Sequence, residues 1–296
     1  MPMEDVEIDQ QLVRSLLEDQ HPDLAGLRIR AVGGGWDNMM WRLGEDLAVR
    51  LPRLSRAAAL LRSEQRWLPG LASNLPLPVP TPVRVGEPSA RFRQTWTVMR
   101  WVPGVPADHE PISRPDAAER LAAFLRALHR AAPHEAPANP THGGALSTHA
   151  NGIDGWLAVL AGERAGAARR MWDDAVAAPV WDRAPLWIHG DLHPANVVVA
   201  DGTLSSVIDF GELCAGDPAA DLAAAWVLLP AGTALRFLDA YGGADDAMIR
   251  RARGWAVLRA LVLIRIGQQW EQGLPGGKQT WGPAGQSALQ RVLSAA

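Results

Sequence analysis

Trp187-Ile-His-Gly-Asp-Leu-His-Pro-Ala-Asn-Val-Val-Val199 is an apolar run that opens into a short polar loop and closes into a second apolar run. Downstream, Ser206-Val-Ile-Asp-Phe-Gly211 is a third apolar segment that delivers Asp209. Strand-like segments flanking a tight loop present Asp191, Asn196 and Asp209 near one another. Two carboxylates and a neutral oxygen ligand are the layout of a site that binds a divalent cation and activates a hydroxyl. Asp191 is the candidate base: held after Gly190, where the backbone can turn tightly, it can accept a hydrogen bond from an acceptor hydroxyl. Asn196 supplies a neutral oxygen and Asp209 an anionic one. Mg²⁺ takes few protein oxygens and completes its shell with water and phosphate oxygens, so this pair suffices.

Each residue taken singly also has a structural reading, as a turn cap, a turn residue and a strand end. The joint spacing argues against that, because it matches the catalytic loop and metal aspartate of kinases. Phosphoryl transfer asks little covalent chemistry of a protein; it asks for positioning and charge neutralisation.

Bulk properties narrow the field. A chain of 296 residues, with 48% apolar and 21% charged residues, has ample core for about two domains. A net charge of -3 gives no electrostatic case for nucleic acid or an anionic membrane. The lone cysteine, Cys214, excludes an internal disulfide framework and fits a reducing cytosol. The acidic start and the absence of a long apolar stretch predict a cytoplasmic protein without leader or membrane span, and no obligate protein partner is evident. A single lysine, Lys278, stands against 28 arginines, so a cation in the site is expected to be arginine.

Outward from the motif, periodicity predicts an opening helix over Asp9–Glu18 and strands over Leu27–Val32, Met39–Leu43 and Leu47–Leu51. A helix over Arg56–Leu68 contains Glu64. After the proline-rich stretch Pro76–Pro82, strands follow over Thr81–Val85 and Gln94–Val102. Pro103-Gly104 breaks the last of these, and the character of the chain changes there. Ser113-Arg-Pro-Asp116 resembles a capping box for the helix carrying Leu121, Phe124, Leu125 and Leu128. Ala136–Gly152 reads as loop, Trp156–Trp172 as helix, and everything from Pro218 onward as helical. The expected fold class is α+β, with a small antiparallel β-rich N-lobe holding one helix (residues 1–102), a linker near Val102–Ala107, and a larger, mainly helical C-lobe (residues 103–296) with the motif loop facing the cleft.

His189-Gly-Asp-Leu-His-Pro-Ala-Asn196, then Ile208-Asp-Phe-Gly211, then Gly216-Asp-Pro-Ala-Ala-Asp-Leu222, resembles the aminoglycoside phosphotransferase family. The likeness runs from about Leu27 to Trp226. It implies a bilobal, protein-kinase-like fold and an ATP- or GTP-dependent enzyme that phosphorylates a hydroxyl of a small molecule, an antibiotic acceptor of aminoglycoside, macrolide or nucleoside type, with Mg²⁺. By the resemblance Asp191 matches the catalytic aspartate, and Asn196 and Asp209 match the metal ligands. Asp217 and Asp221 match the third motif, where a helix cap and a first-turn carboxylate are the expected roles. Gly33-Gly-Gly-Trp-Asp-Asn38 sits where the nucleotide loop lies, which places Gly34, Gly35 and Asn38 against phosphates. Arg50 stands where a kinase carries lysine, with Glu64 as its partner. Arginine keeps the charge but offers a differently shaped fork. Met99 and Trp101, in Val98–Val102, are the hinge expected to hold the base through the backbone.

Two other readings stay open. His189, Asp191 and His193 form H-x-D-x-H, which could seed a metal-dependent hydrolase. A nucleotide-binding pseudo-kinase would use the same fold without turnover. His189 is expected to hold the loop through a backbone bond, and His129 to be a packed core histidine. Trp255, Trp270 and Trp281 lie where an acceptor would stack. From Leu222 onward eight Arg or Lys stand against four acidic residues (Asp239, Asp245, Asp246, Glu271), which favours a neutral or anionic acceptor over a polycation.

Overall fold

The computed structural model describes residues 7–32, 35 and 37–295. The chain divides into two compact units that do not follow chain order. One takes in the described residues up to Ser73, with Pro78–Pro103 and Asp209–Gly211; the other holds Asn74–Leu77, Gly104–Ile208 and Glu212 to the C-terminus. Mixed helix and sheet, with an antiparallel sheet in the N-terminal region and a larger helical C-terminal part, is the α+β, kinase-like architecture expected.

In the first unit, α1 (Gln10–Gln20) is followed by β1 (Ile29–Val32), β2 (Asn38–Leu43), β3 (Leu47–Pro52), α2 (Ser55–Ala72), β4 (Pro82–Gly86) and β5 (Trp96–Arg100). The strands form one antiparallel sheet in the order β1-β2-β3-β5-β4. Alternate side chains leave a sheet on opposite faces. Trp41, Leu43, Val49, Leu51, Trp96 and Val98 pack with Val13, Leu16 and Leu17 of α1 in one buried cluster. Asp9 caps α1, its carboxylate accepting from Leu12 N at 2.7 Å. Arg50, paired across the sheet with Met40 and Thr97, belongs to the other set, and α2 packs there. That helix runs four residues past the expected end at Leu68, with Pro69 inside it.

The second unit has short strands and long helices. β6 (Val105–Pro106) pairs with β8 (Val197–Ala200), which pairs with β9 (Thr203–Val207); β7 (Leu186–Ile188) pairs with β10 (Cys214–Gly216). Its helices are α3 (Ala117–Leu128), α4 (Pro140–Gly143), α5 (Ile153–Leu157), α6 (Gly162–Ala177), α7 (Ala219–Leu222), α8 (Ala224–Val227), α9 (Ala234–Tyr241), α10 (Asp246–Glu271) and α11 (Trp281–Leu293). The capping box does not form. Asp116 is the N-cap of α3, makes no cap bond with its side chain, and takes Arg114 Nε at 2.9 Å instead. The helix expected over Trp156–Trp172 is two helices, with Gly162 at φ +60° opening the second. The Ala136–Gly152 loop holds α4 and a 3₁₀ turn, Leu146–Gly152.

The central element is α10, 26 residues long, capped by Asp245 through Met248 N at 2.8 Å and buried along most of its length. It crosses α11 closely enough that a Cβ on Gly267 would lie 2.3 Å from the Gly282 Cα. Glycine is required there by backbone contact. Gly267→Ala is expected to lower the unfolding free energy by about 2–3 kcal/mol, the cost of overpacking against backbone that has no rotamer to yield, read as a lower midpoint in a urea melt. Among the described residues no helix is long and apolar enough to cross a membrane.

Candidate active site

In the second unit, β7 ends at Ile188, paired with Cys214, and the chain turns at Gly190 with φ +81°. A Cβ on Gly190 would meet the Glu212 carbonyl at 2.9 Å, so the turn requires glycine on both counts. Side chains take up the backbone groups of this turn. Asp221, fully buried, accepts from His189 N at 2.7 Å and from Gly190 N at 2.9 Å, one on each carboxylate oxygen. His129 Nε2 lies 3.2 Å from Asp221 Oδ2, and Tyr241 Oη is 2.8 Å from His129 Nδ1. Burial works to raise the Asp221 carboxyl, but His129, with His189 assisting, holds it below the ordinary range. Asp221, in the first turn of α7 as expected, is also a clamp on the turn that carries Asp191. The N-cap position of α7 is Pro218, so the cap expected at Asp217 does not form; from one residue earlier Asp217 accepts from Ala219 N at 3.0 Å and pairs with buried Arg251 at 2.6 Å.

His189 Nδ1 accepts from Asp191 N at 3.2 Å and Nε2 lies 2.9 Å from the Ile208 carbonyl, so the ring is neutral with its proton on Nε2. Both ring nitrogens are engaged. His193 Nδ1 accepts from Ala195 N at 3.3 Å, and its Nε2 faces Asp191 Oδ2 at 3.5 Å. The H-x-D-x-H segment therefore does not converge on a metal, and among the described residues no group of three or more His, Cys, Asp or Glu is arranged to hold one.

Asp191 sits on this turn with three neighbours able to carry positive charge. They are His193, Arg259 of α10 (Nη1 to Oδ1 3.5 Å) and His142 of α4 (Nδ1 to Oδ1 3.9 Å). Burial alone would raise its carboxyl; His193 first, then Arg259 and His142, outweigh it and hold Asp191 well below the usual carboxylate range. It is ionised at any working pH. Asn196 gives its Nδ2 to the Asp191 carbonyl (2.9 Å) and to Oδ2 (3.2 Å). A carboxylate accepts only, so the amide nitrogen must be the end that faces it. The amide oxygen is left turned away, the orientation a cation ligand needs. Trp281, at the start of α11, lies against the His193 ring at 4.7 Å between centroids; Trp255 is buried in α10 and Trp270 half-exposed.

The first unit has its own charged centre. Arg50 Nη1 bonds Glu64 Oε2 at 2.9 Å and Nη2 bonds Asp209 Oδ1 at 2.7 Å. With its amide oxygen toward the guanidinium, Asn38 accepts from Nε at 3.2 Å and Nη2 at 3.0 Å. Burial disfavours the charge on Arg50, but Asp209 and Glu64 outweigh that and hold it more firmly protonated than usual. Glu64 is fully buried, one carboxylate oxygen has no partner, and burial pushes its carboxyl up against the pull of Arg50. Asp209 stands at φ +60°, a left-handed conformation rare outside glycine, and its Oδ1 is the oxygen bonded to Arg50. Gly35 is exposed; Gly34, with Gly33 and Trp36, lies outside the described residues. Met99 is buried opposite Ala48 in the sheet. Trp101 gives its N–H to the Asp46 carbonyl at 2.8 Å, and the Arg42 guanidinium lies 4.3 Å over its ring. That N–H is therefore committed within the first unit.

Residues 28–261 match the phosphotransferase enzyme family. A curated relative, viomycin phosphotransferase of Streptomyces vinaceus, is 29% identical over 257 residues, 79% of this chain and 88% of that one. Among solved structures, the GDP complex of aminoglycoside 2'-phosphotransferase-IIIa superposes with a TM-score of 0.72 at 20% identity, over 97% of this chain and 99% of that one. A macrolide 2'-phosphotransferase of Brachybacterium faecium does so at 0.62 and 23% identity, over 92% and 97%.

Proposed function

Because the chain belongs to the phosphotransferase enzyme family, we propose that it moves the γ-phosphoryl group of ATP or GTP to a hydroxyl of a small-molecule antibiotic, inactivating it. Asp191 carries the reading: an ionised carboxylate on a turn whose backbone is held by side chains, with the Asn196 amide oxygen directed away from it. In the proposed step the acceptor O–H donates to an Asp191 oxygen. The hydroxyl oxygen bonds to the γ-phosphorus as the bond to the nucleoside diphosphate breaks, and the hydroxyl proton passes to Asp191 as the new P–O bond forms. A carboxylate held this far below its ordinary range is a weak base, so its main work is to aim the hydroxyl, with proton transfer late. The motif order assigns Mg²⁺ to the Asn196 amide oxygen and the Asp209 carboxylate, a donor set that suits a hard cation. Bound there, Mg²⁺ would neutralise charge on the transferring phosphates.

Arg50 is the proposed phosphate cation, held by Glu64 and Asn38. Arg50→Ala is expected to raise the nucleotide KM by about 10-fold or more while leaving the acceptor KM within about 3-fold, the loss of a charge-assisted contact. It also leaves Glu64 buried without its cation, so Arg50→Lys is measured beside it. Unchanged nucleotide KM and kcat in both variants would place the cation elsewhere.

The acceptor is proposed to be neutral or anionic. The charged side chain paired with Asp191 is a cation, Arg259, with the His142 and His193 rings beside it, where a polycation would want carboxylates. The test is incubation with ATP or GTP and Mg²⁺ against aminoglycoside, macrolide and nucleoside antibiotics and viomycin, followed by mass spectrometry. A gain of one phosphoryl group on an acceptor is the expected outcome; nucleotide binding without turnover of any acceptor would mean a pseudo-kinase. Tight, salt-sensitive binding of a polycationic aminoglycoside would overturn the charge reading.

A further inference from the structure

We propose that Arg259 of α10 is the positioning residue of the transfer step, its guanidinium fixing Asp191 by holding the backbone carbonyls on either side of it. The inference rests on the phosphotransfer reading of Asp191. Arg259 Nη2 donates to the Gly190 carbonyl at 2.6 Å, and Nη1 reaches the Leu192 carbonyl at 3.4 Å and Asp191 Oδ1 at 3.5 Å. Nη2 also lies 3.5 Å from the Ala220 carbonyl, next to Asp221 in the chain. One planar fork therefore spans the residue before and the residue after Asp191, which a lysine's single ammonium does not reproduce.

The partition of the turn's backbone groups gives this contact its meaning. The N–H groups of His189 and Gly190 go to Asp221, and the N–H of Asp191 goes to His189. The carbonyl of Asp191 goes to Asn196, and those of Gly190 and Leu192 go to Arg259, with His142 Nδ1 also 3.1 Å from the Gly190 carbonyl. The Asp221 carboxylate takes two of the donors and the Arg259 guanidinium two of the acceptors, so Asp191 is gripped from both sides of the peptide chain. Among the described residues, the four polar contacts of Arg259 are to this turn or to the helix that carries Asp221. Its Nε is buried without a partner. Trp255, one helical turn earlier on α10, lies 5.9 Å from the guanidinium and backs it.

The test is made on the full chain with nucleotide, Mg²⁺ and an acceptor identified by the panel. Arg259→Met is expected to lower kcat by about 100-fold, the effect of a small misplacement of a reacting group, with nucleotide and acceptor KM each within about 3-fold of wild type. Arg259→Lys is expected to recover less than a tenth of the lost kcat. Arg259→Ala is expected to regain activity saturably when methylguanidine is added, and a merely structural role would not do that. A raised acceptor KM with unchanged kcat would overturn the proposal in favour of direct acceptor binding. A kcat loss that tracks the unfolded fraction, without rescue, would overturn it in favour of a fold role. If wild type transfers phosphate to nothing, the phosphotransfer reading fails, and amide hydrogen exchange still decides the geometry. At matched global stability, exchange at residues 189–192 is expected to be at least about 10-fold faster in Arg259→Met, as an opening freed from its clamp; unchanged exchange would overturn the positioning role.

Discussion

Asp191→Asn is expected to cut the turnover of phosphoryl transfer by about 10³-fold, within the range that removal of a general base costs, while the nucleotide KM stays within about 3-fold of wild type. The substitution is nearly isosteric. It removes the acceptor that aims the hydroxyl, and it turns an NH₂ group toward neighbours that are themselves donors, His193 Nε2 among them at 3.5 Å. The fold should tolerate it, because the Asp191 side chain is partly exposed. Steady-state kinetics with nucleotide and acceptor varied separately, beside a thermal melt, make the measurement. Near-normal turnover would remove Asp191 from the base role.

Asp221→Ala is expected to be the most damaging substitution to the fold near the site. It deletes a fully buried carboxylate that serves two backbone N–H groups and His129 at once. Stranding buried donors costs about 1–3 kcal/mol each, so a loss of about 3–5 kcal/mol of unfolding free energy is anticipated, with activity lost as the turn relaxes. Asp221→Asn separates charge from shape. One amide oxygen can serve one N–H, but the NH₂ end meets the other, and about 2–3 kcal/mol should still be lost. The linkage to pH has a definite sign. The folded carboxyl lies below its ordinary value of 3.8, so its contribution is fully present above that value and is lost as pH falls through the lower folded value. Urea midpoints measured from pH 6 downward should therefore fall more steeply for wild type than for Asp221→Asn. Parallel curves would show that Asp221 does not carry the acid sensitivity.

Much of this was legible in the sequence where the signal was local. The strands alternate, the opening helix repeats at three and four residues, and the H-G-D-L-H-P-A-N loop and I-D-F-G strand end carry their chemistry in contiguous letters. Arg50 facing Glu64 was read from position and is borne out as a buried 2.9 Å pair. Packing decided the rest. Ser113 looked like a cap because of its spacing, but the helix begins at Ala117 and Asp116 occupies the boundary. The helix over Trp156–Trp172 broke at Gly162, whose positive φ was invisible in a stretch rich in good helix formers. Asp221 was read by its distance from a helix start, when its partners lie on a turn some thirty residues upstream. Arg259 left one trace, a lone charge in the apolar run Ala256–Ile264, which is how a partly buried arginine with a distant partner looks in a sequence.

Cys214 lies in β10 against Ile188, at the floor of the turn that carries Asp191, and burial pushes its thiol up to about 12, with Asp221 and Glu212 adding to the effect. The reactive form of cysteine is the thiolate, so in the closed protein this sole thiol is doubly protected, by enclosure and by chemistry. It becomes a built-in clock. A thiol reagent can label it only in the moments when the β7–β10 ladder parts, and with reclosing fast the labelling rate reads the free energy of that parting. Any acceptor or nucleotide that steadies the turn above should slow the clock, so occupancy can be followed without a tag.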